Sequence, residues 1–265
     1  MTEIVLYQVD AFTDRPFAGN PAAVCPLETW LPDATLQAIA AENNLAETAF
    51  FVPQEGGYRL RWFTPTIEVP LCGHATLASA YVIAQHVEPG MQKVVFDSAS
   101  GPLTVTREGE VFTLDFPTDR PEPFDDRGAV AEALGIAPQE VLKPAKSEGG
   151  KLMAVLASEA EVRAADPDLE QVKALPGDGL IFTARGEAVD FVSRYFAPHA
   201  GIPEDPVTGS AHVVLTPFWA ARLGKAKLTA RQISARGGDL TVEDRGARTL
   251  ISGKVAPYLE GRIRV

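Results

Sequence analysis

The pattern of hydrophobic and polar residues predicts short strands alternating with helices, and the same succession occurs twice along the chain. Apolar runs at 49–52 and 180–183 are each followed by a glycine-containing turn and a second such run, which is typical of a β-hairpin. A helix with apolar residues three apart precedes each hairpin, with Asp33 and Asp166 as the predicted N-caps. Each half is therefore predicted to be a mixed α+β unit.

Direct sequence similarity supports the repeat. RWFTPTIEVP, from Arg61, aligns without a gap with RYFAPHAGIP, from Arg194, an offset of 133 residues or about half of 265. The proline-rich and charged segment 117–126 is the predicted linker, giving domains 1–117 and 127–265, with the last strands free to return to the first half. Other strands are predicted at 4–9, 22–24, 94–96, 103–105, 112–116, 153–156, 232–235, 240–242 and 249–253.

A glycine-rich helix start follows the repeated segment in each half, at Gly73 and Gly209. Helix N-termini have unpaired N–H groups and bind carboxylate or phosphate where glycine allows close approach. A glycine there is equally explained by a tight loop, but its duplication favours an anion site. The gap-free alignment also pairs Cys72 with Asp205, which suggests an acid–base pair, although Asp205 before Pro206 is also a typical turn or capping residue.

Three further polar residues are candidates for the same site. His74 lies one or two residues inside its helix, where the helix dipole favours a neutral ring that exchanges hydrogen bonds; a structural histidine is the simpler alternative. Glu47, in NNLAETAFF, is suited to proton transfer if it is buried, or is an exposed loop residue. Asn20, in AGNPAAV, is either a substrate-binding amide or an Asx-turn before Pro21.

Composition excludes several classes of function. A net charge of −11 without basic clusters argues against nucleic acid as a partner. The absence of a signal sequence and of a long apolar run predicts a cytoplasmic protein with no membrane segment. Two cysteines suggest no disulfide framework, and Cys72, His74 and His212 lack the spacing and the third carboxylate of a metal site, so no metal is expected. Nucleotide-binding fingerprints are also missing.

Four motifs carry a family resemblance: AFTDRPFAGNPAAV, AETAFF, RWFTPTIEVPLCGHAT and IPEDPVTGSAH. Together they resemble the PhzF-like phenazine-biosynthesis proteins of the diaminopimelate epimerase superfamily, and they span the whole chain in order. The resemblance implies an α+β fold of two pseudo-symmetric diaminopimelate epimerase-like domains, each a mixed sheet wrapped around a central helix. It also implies a homodimer.

The resemblance further implies an activity and a set of site residues. In the characterised phenazine enzyme, the glutamate of the ETAF motif moves a proton within dihydrohydroxyanthranilate without a cofactor, which implies Glu47 as the proton shuttle here. The substrate-binding residues implied are His74, Asp205, Ser210, Asn20 and the backbone of Gly73 and Gly209. Cys72 departs from the pattern of the phenazine enzyme, which does not have a cysteine at this position. Diaminopimelate epimerases have one cysteine at this position and another at the equivalent position of the second half.

The sequence leads to one main hypothesis and two alternatives. The main one is a cofactor-independent isomerase that moves a proton on a small carboxylic acid. The second is a two-base epimerase or racemase that uses Cys72 and Asp205 on opposite faces of a carbon atom. The third is a protein that binds a small acid and does not convert it.

Overall fold

The computed structural model describes residues 2–146 and 150–265. The chain divides into two compact units, one made of Met1–Asp115 with Ser252–Val265 and the other of Phe116–Ile251. The sequence prediction divided the chain at 117–126. In the structure the C-terminal strand returns to the first unit, which the sequence allows but does not require.

The first unit is built on a mixed sheet. Its strands are β1 (Glu3–Ala11), β2 (Asn20–Pro26), β3 (Glu47–Gln54), β4 (Gly57–Phe63), β5 (Glu68–Val69), β6 (Lys93–Ser98), β7 (Gly101–Glu108), β8 (Val111–Pro117) and the last strand of the chain, β18 (Val255–Arg264). β1 pairs antiparallel with both β18 and β2, while β2 pairs parallel with β3. β3 pairs antiparallel with β4, which in turn pairs antiparallel with β5 and parallel with β6. β6, β7 and β8 follow as an antiparallel meander.

Two helices accompany this sheet, α1 (Asp33–Asn43) and α2 (Gly73–Val82), the second continuing as a π-helical turn, Ile83–Val87. Every residue of α2 except Tyr81 is buried, because the helix contacts β1, β2, β3, β7 and β18. A helix that is apolar on all sides is stable only when it is enclosed in this way. It is therefore the central helix of the first unit, as predicted.

The second unit repeats this plan. Its strands are β9 (Pro121–Pro123), β10 (Glu140–Pro144), β11 (Leu152–Val155), β12 (Leu180–Arg185), β13 (Phe191–Ala197), β14 (Ile202–Asp205), β15 (Lys227–Gln232), β16 (Gly238–Asp244) and β17 (Arg248–Gly253). Its helices are α3 (Arg127–Leu134), α4 (Glu159–Ala164), α5 (Leu169–Ala174) and α6 (His212–Leu223). α6 is largely buried and continues through Pro217.

The strand pairings of the two units correspond one by one. In the first unit the succession β2, β3, β4, β6, β7 is paired parallel, antiparallel, parallel, antiparallel. In the second unit β11, β12, β13, β15, β16 are paired in the same order of directions. Arg61 and Arg194 also form matching ion pairs, with Glu68 and Glu204 respectively. The predicted duplication and α+β fold are thus confirmed.

Three local predictions are wrong. Asp33 lies inside the first turn of α1, where Pro32 is the N-cap, and α5 is capped by Asp168 instead of Asp166. Asp168 accepts hydrogen bonds from the backbone N–H groups of Glu170 and Gln171, a contact that depends on the exact position of the cap. The strand predicted at 232–235 is β15, 227–232, where buried and exposed residues alternate and Gln232 is buried.

Within residues 2–146 and 150–265, none of the helices has the length and apolar composition required to cross a membrane.

Candidate active site

A buried contact between a carboxylate and an imidazole lies at the start of β3 and α2. Glu47 Oε2 is 3.1 Å from His74 Nε2, and the two residues are 9% and 3% exposed. Glu47 is the first residue of β3, whose next five residues are buried in the middle of the sheet. His74 is the second residue of α2. The sheet and its central helix therefore hold an acid and a base together away from water.

Asn20 contacts the other side of the same imidazole. Asn20 Nδ2 lies within hydrogen-bond distance of His74 Nδ1, at 3.1 Å, and Asn20 is fully buried at the start of β2. Nδ1 accepts this bond when the ring is neutral with its proton on Nε2, whereas a charged ring donates from Nδ1 to the oxygen of the same amide turned over. The preceding residue, Gly19, has φ of +65°, and a Cβ there would be 2.2 Å from the carbonyl oxygen of Ala11. Glycine is thus required for the tight loop that presents Asn20.

Cys72 is the N-cap residue of α2 and completes the cluster. Its Sγ lies 3.5 Å from His74 Nδ1, and Cys72 is 6% exposed. Its carbonyl oxygen accepts a hydrogen bond from Thr76 Oγ1 over 2.5 Å. Burial, reinforced by the charge of Glu47, raises the pKa of the Cys72 thiol to about 11. The thiol is therefore protonated at neutral pH.

The protonation of His74 is set by its neighbours. Burial opposes a charged ring, but the Glu47 carboxylate favours it, and the pKa of His74 is raised well above its ordinary value. The sequence argument from the helix dipole favoured a neutral ring. The adjacent buried carboxylate acts in the opposite direction and is stronger, because two opposite charges at 3 Å in a poorly solvated site interact more than a partial charge at a helix end.

Glu47, Cys72 and His74 also form the type of donor set that can hold a metal ion, with ligand atoms all within 4.8 Å. No carboxylate partner for Cys72 and His74 is evident from the sequence spacing, and the fold supplies Glu47. However, Glu47 faces Nε2 of the imidazole and Cys72 faces Nδ1. One ion would be ligated by only one ring nitrogen, and the contacts seen here, with one side chain at each nitrogen, are those of an acid–base cluster.

The second unit has its own polar network at the corresponding helix start. Thr208 Oγ1 donates to Asp205 Oδ2 over 2.5 Å, and Thr208 N donates to Gln232 Oε1 over 2.8 Å. Gln232 Nε2 in turn donates to the carbonyl oxygen of Asp205 over 2.7 Å. All three residues are buried. The amide of Gln232 therefore fixes the backbone that carries Asp205.

The predicted equivalence of Cys72 and Asp205 is wrong. In the first unit, Val69 of β5 pairs with Trp62 of β4. In the second unit, Asp205 of β14 pairs in the same way with Tyr195 of β13, which is the counterpart of Trp62. The extra three residues of the second half lie before Glu204, around the 3-10 turn Pro198–Ala200, and not after Asp205. Asp205 therefore corresponds to Val69.

The true counterpart of Cys72 is Thr208, which precedes Gly209 as Cys72 precedes Gly73. The shared helix-start geometry supports this assignment. The carbonyl oxygen of Cys72 accepts a bond from the side chain four residues later, Thr76, and the carbonyl oxygen of Thr208 accepts one from His212 Nδ1 over 2.8 Å. By the same alignment, His74 corresponds to Ser210, which is partly exposed at the start of the second helix.

Two features of this second helix start have no equivalent in the first. His212 is fully buried, and burial lowers its pKa to about 4, so its ring is neutral. Gly179 occupies the position that Glu47 has in the first unit. Two residues after Glu47, Ala49 of β3 pairs with Trp62, and two residues after Gly179, Ile181 of β12 pairs with Tyr195, the counterpart of Trp62. A Cβ at Gly179 would be 3.0 Å from the Tyr195 hydroxyl. A carboxylate at this position of the strand is thus a property of the first unit only.

The structure assigns the sequence-predicted residues to two groups. Glu47, His74, Cys72, Asn20 and Gly73 belong to the first unit, and Asp205, Gly209 and Ser210 belong to the second. Thr208 and Gln232 are not among the residues predicted from the sequence. Placing the gap so that Glu68-Val69-Pro70 matches Glu204-Asp205-Pro206 would have revealed Thr208. Nothing in the sequence marks Gln232, because its partners come from a segment 24 to 27 residues away.

Comparisons with known proteins identify the family. The sequence profile of the phenazine biosynthesis-like proteins, PhzC-PhzF, matches residues 9–261. A Pseudomonas aeruginosa protein named as an uncharacterized isomerase is 51% identical over 263 residues, covering 99% of this chain and 100% of its own. The crystal structure of a PhzF-family phenazine biosynthesis protein from Enterococcus faecalis is 45% identical in sequence and has a TM-score of 0.95. The match covers 100% of this chain and 100% of that chain. The chain belongs to the PhzC-PhzF family of phenazine biosynthesis-like proteins.

A more distant solved structure agrees in fold. A hydroxyproline epimerase from Agrobacterium vitis, crystallised with trans-4-hydroxy-L-proline, has a TM-score of 0.61 with 11% identity, covering 98% of this chain and 92% of its own. At this identity the similarity concerns the fold alone. It matches the epimerase-like, two-unit α+β architecture predicted from the sequence.

Proposed function

We propose that this protein is an isomerase that moves a proton between two carbon atoms of a small carboxylic acid, with Glu47 carrying the proton and no cofactor taking part. The observation that carries this proposal is the buried contact between the Glu47 carboxylate and His74 Nε2. A carboxylate kept from water and held beside an imidazole is suited to accept a proton from carbon and to return it.

The reaction we propose needs no oxidant or reductant. The Glu47 carboxylate removes a proton from a carbon next to an unsaturated or carboxyl group, and the electron pair left behind delocalises onto the oxygen atoms of the substrate. The protonated Glu47 then returns the same proton to a different carbon, which gives an isomer. The proton stays on one buried carboxyl group between the two steps. It can therefore exchange with water, instead of returning to the substrate, only while the site is open.

The negative charge that develops requires stabilisation. The N–H groups at the start of α2, beginning with Gly73, point towards the N-terminal end of a helix whose dipole favours an anion there. A charged His74 adds a second positive group beside Glu47. We also assign Asn20 to binding of the acid. Asp205, Gly209 and Ser210, in the second unit, stay predicted substrate-binding residues.

The experiment is a proton-exchange assay. Dihydrohydroxyanthranilate and a panel of other small unsaturated or 2-amino carboxylic acids are incubated in deuterated water and followed by ¹H NMR. We expect conversion of at least one acid, and Glu47→Gln to lower its rate by about 10² to 10⁴, the usual contribution of a general base. Glu42→Gln, an exposed acid on α1, is the matched control and should retain the wild-type rate. A Glu47→Gln variant with the control's rate would refute the assignment.

A two-base epimerase is the second candidate, and one observation favours it: Cys72 Sγ lies 3.5 Å from His74 Nδ1, which can take the thiol proton when the ring is neutral. Under this hypothesis Cys72→Ala abolishes racemisation, whereas the proton-shuttle hypothesis requires only Glu47. A wild-type protein that is stabilised by an acid but converts none of the panel would favour the third alternative, a binding protein.

A further inference from the structure

Lys151, the residue before β11 in the second unit, is a partly buried lysine without a polar partner. Its ammonium group forms neither an ion pair nor a hydrogen bond with any residue in 2–146 and 150–265. Its Nζ lies instead 5.4 Å from the centroid of the Tyr195 ring, the geometry of a cation–π contact. Lysine is seldom withdrawn from water without an acceptor for its N–H groups, so this position calls for a function.

The strand register makes Lys151 the neighbour of the residue that corresponds to Glu47. In the first unit, Ala22 of β2 pairs with Glu47 of β3. The equivalent parallel ladder of β11 and β12 begins one residue after Lys151 and Gly179, and the N–H of Leu152 donates to the carbonyl oxygen of Gly179 over 3.0 Å. Lys151 thus corresponds to Ala22. The first unit has an acid beside a small residue at this place, and the second unit has a base beside glycine.

Glycine at position 179 is required by the backbone around Lys151. Gly179 has φ of +146°, and a Cβ there would be 2.3 Å from the carbonyl oxygen of Phe196. The Tyr195 hydroxyl donates to the carbonyl oxygen of Asp178 over 3.0 Å, which fixes the ring that the ammonium contacts. No side chain from position 179 can therefore cover the ammonium group, and the aromatic ring beside it is held in place.

The charges around Lys151 do not neutralise it by contact. Burial lowers the pKa of Lys151, and the charges of Asp178 and Asp205 oppose this effect without overcoming it. Asp178 is exposed to water, and the buried Asp205 carboxylate already accepts a hydrogen bond from Thr208 Oγ1. The folded protein therefore holds a charged Lys151 at a loss of stability, which is typical of groups that are kept for binding.

We propose that Lys151 is a substrate-binding residue whose ammonium group binds the carboxylate of the acid. The inference rests on the proposed function, in which the substrate is a small carboxylic acid. A carboxylate supplies the charged hydrogen-bond acceptor that the described part of the chain does not offer to Nζ, and such bonds are about twice as strong as neutral ones. A neutral ligand of the same shape would leave the ammonium without that acceptor. Lys151 therefore makes the second unit selective for the ionised acid.

The test is a binding measurement that requires no turnover. Benzoate, which has no proton on the carbon next to its carboxyl group, and benzamide, its neutral counterpart, are titrated into the protein by isothermal titration calorimetry. The wild type should bind benzoate more tightly than benzamide. Lys151→Met keeps the length of the side chain and removes its charge, so it should raise the benzoate Kd by about tenfold or more and leave the benzamide Kd unchanged. Lys151→Arg retains the charge and should bind benzoate within about fivefold of the wild type.

Matched controls separate binding from folding. Lys227→Met changes an exposed lysine of β15 in the same unit and should leave both Kd values unchanged. Lys151→Met should melt at the temperature of the wild type or above it, because it removes a charge that burial disfavours. If Lys151→Met does not fold, Lys151→Gln removes the same charge and keeps a polar end, and the same two Kd values decide.

Three results would overturn the role of Lys151. They are a benzoate Kd that Lys151→Met leaves unchanged, an equal loss of affinity for benzoate and benzamide, and a wild type that binds no benzoate at about 20 mM. Neither probe reacts, so none of these results depends on proton transfer by Glu47. Conversely, a Glu47→Gln variant that isomerises as fast as the wild type would refute the proposed function and leave the benzoate result standing.

Discussion

Cys72 and Thr208 occupy the same position in the two halves of the molecule. Each precedes the glycine that begins a buried helix, and each has its carbonyl oxygen bonded by the side chain four residues later. The first half thus has a thiol where the second has a hydroxyl that bonds Asp205. The duplication preserved the helix start and changed the chemistry on each copy.

The hydroxyl of Thr208 should contribute to stability through Asp205. Thr208→Val removes the donor to the buried Asp205 carboxylate and leaves Gln232 with one partner fewer, so we expect a loss of about 1 to 3 kcal/mol in the free energy of unfolding. Thr208→Ser keeps the hydroxyl and should lose less. Urea denaturation of both variants measures the difference, and equal losses would mean that the methyl group, not the hydrogen bond, is responsible.

The thiol of Cys72 should react slowly in the native protein. Burial raises its pKa to about 11, and Cys25 is buried with a pKa of about 12, so both are almost entirely protonated at pH 7. We expect a thiol reagent such as dithionitrobenzoate to modify neither cysteine rapidly in the native state and both in denaturant. Cys72→Ala identifies which thiol reacts first. Rapid native modification at Cys72 would instead indicate a thiolate, and would favour the two-base epimerase.

The contact between Glu47 and His74 predicts a stability that depends on pH. The pKa of His74 is raised above its unfolded value of about 6.5, so charged His74 stabilises the fold fully below that pH, and the contribution disappears as pH rises through the folded pKa. Glu47→Gln should therefore cost about 3 kcal/mol at pH 6, the usual effect of breaking a buried ion pair, and less at higher pH.

Urea denaturation of the wild type and of Glu47→Gln between pH 5.5 and 9.5 measures this dependence. The exposed Glu42→Gln on α1 serves as the control and should show no such trend. A loss that stays constant across the range would show that the pair acts as a neutral contact. An imidazole ¹⁵N titration would then identify the tautomer of His74.

Much of the fold was predictable because its signals are local or repeated. The helix start at Gly73, the hairpin of β3 and β4 and the duplication at Arg61 and Arg194 follow from periodicity, turn residues and sequence identity. Glu47 and His74 are candidates from their local sequence as well as from the family motifs. Their residue types were visible in the sequence, whereas their burial and contact were not.

The sequence by itself determined which elements form, that they form twice, and which residue types stand at the two helix starts, because these depend on neighbours a few positions away. Only the tertiary structure decided that Glu47 meets His74 Nε2 and that Thr208, and not Asp205, corresponds to Cys72. These contacts depend on strands and helices that lie far apart in the chain. The position of the three inserted residues decides which residues of the two halves correspond, and it does so without altering the local sequence pattern of either helix start.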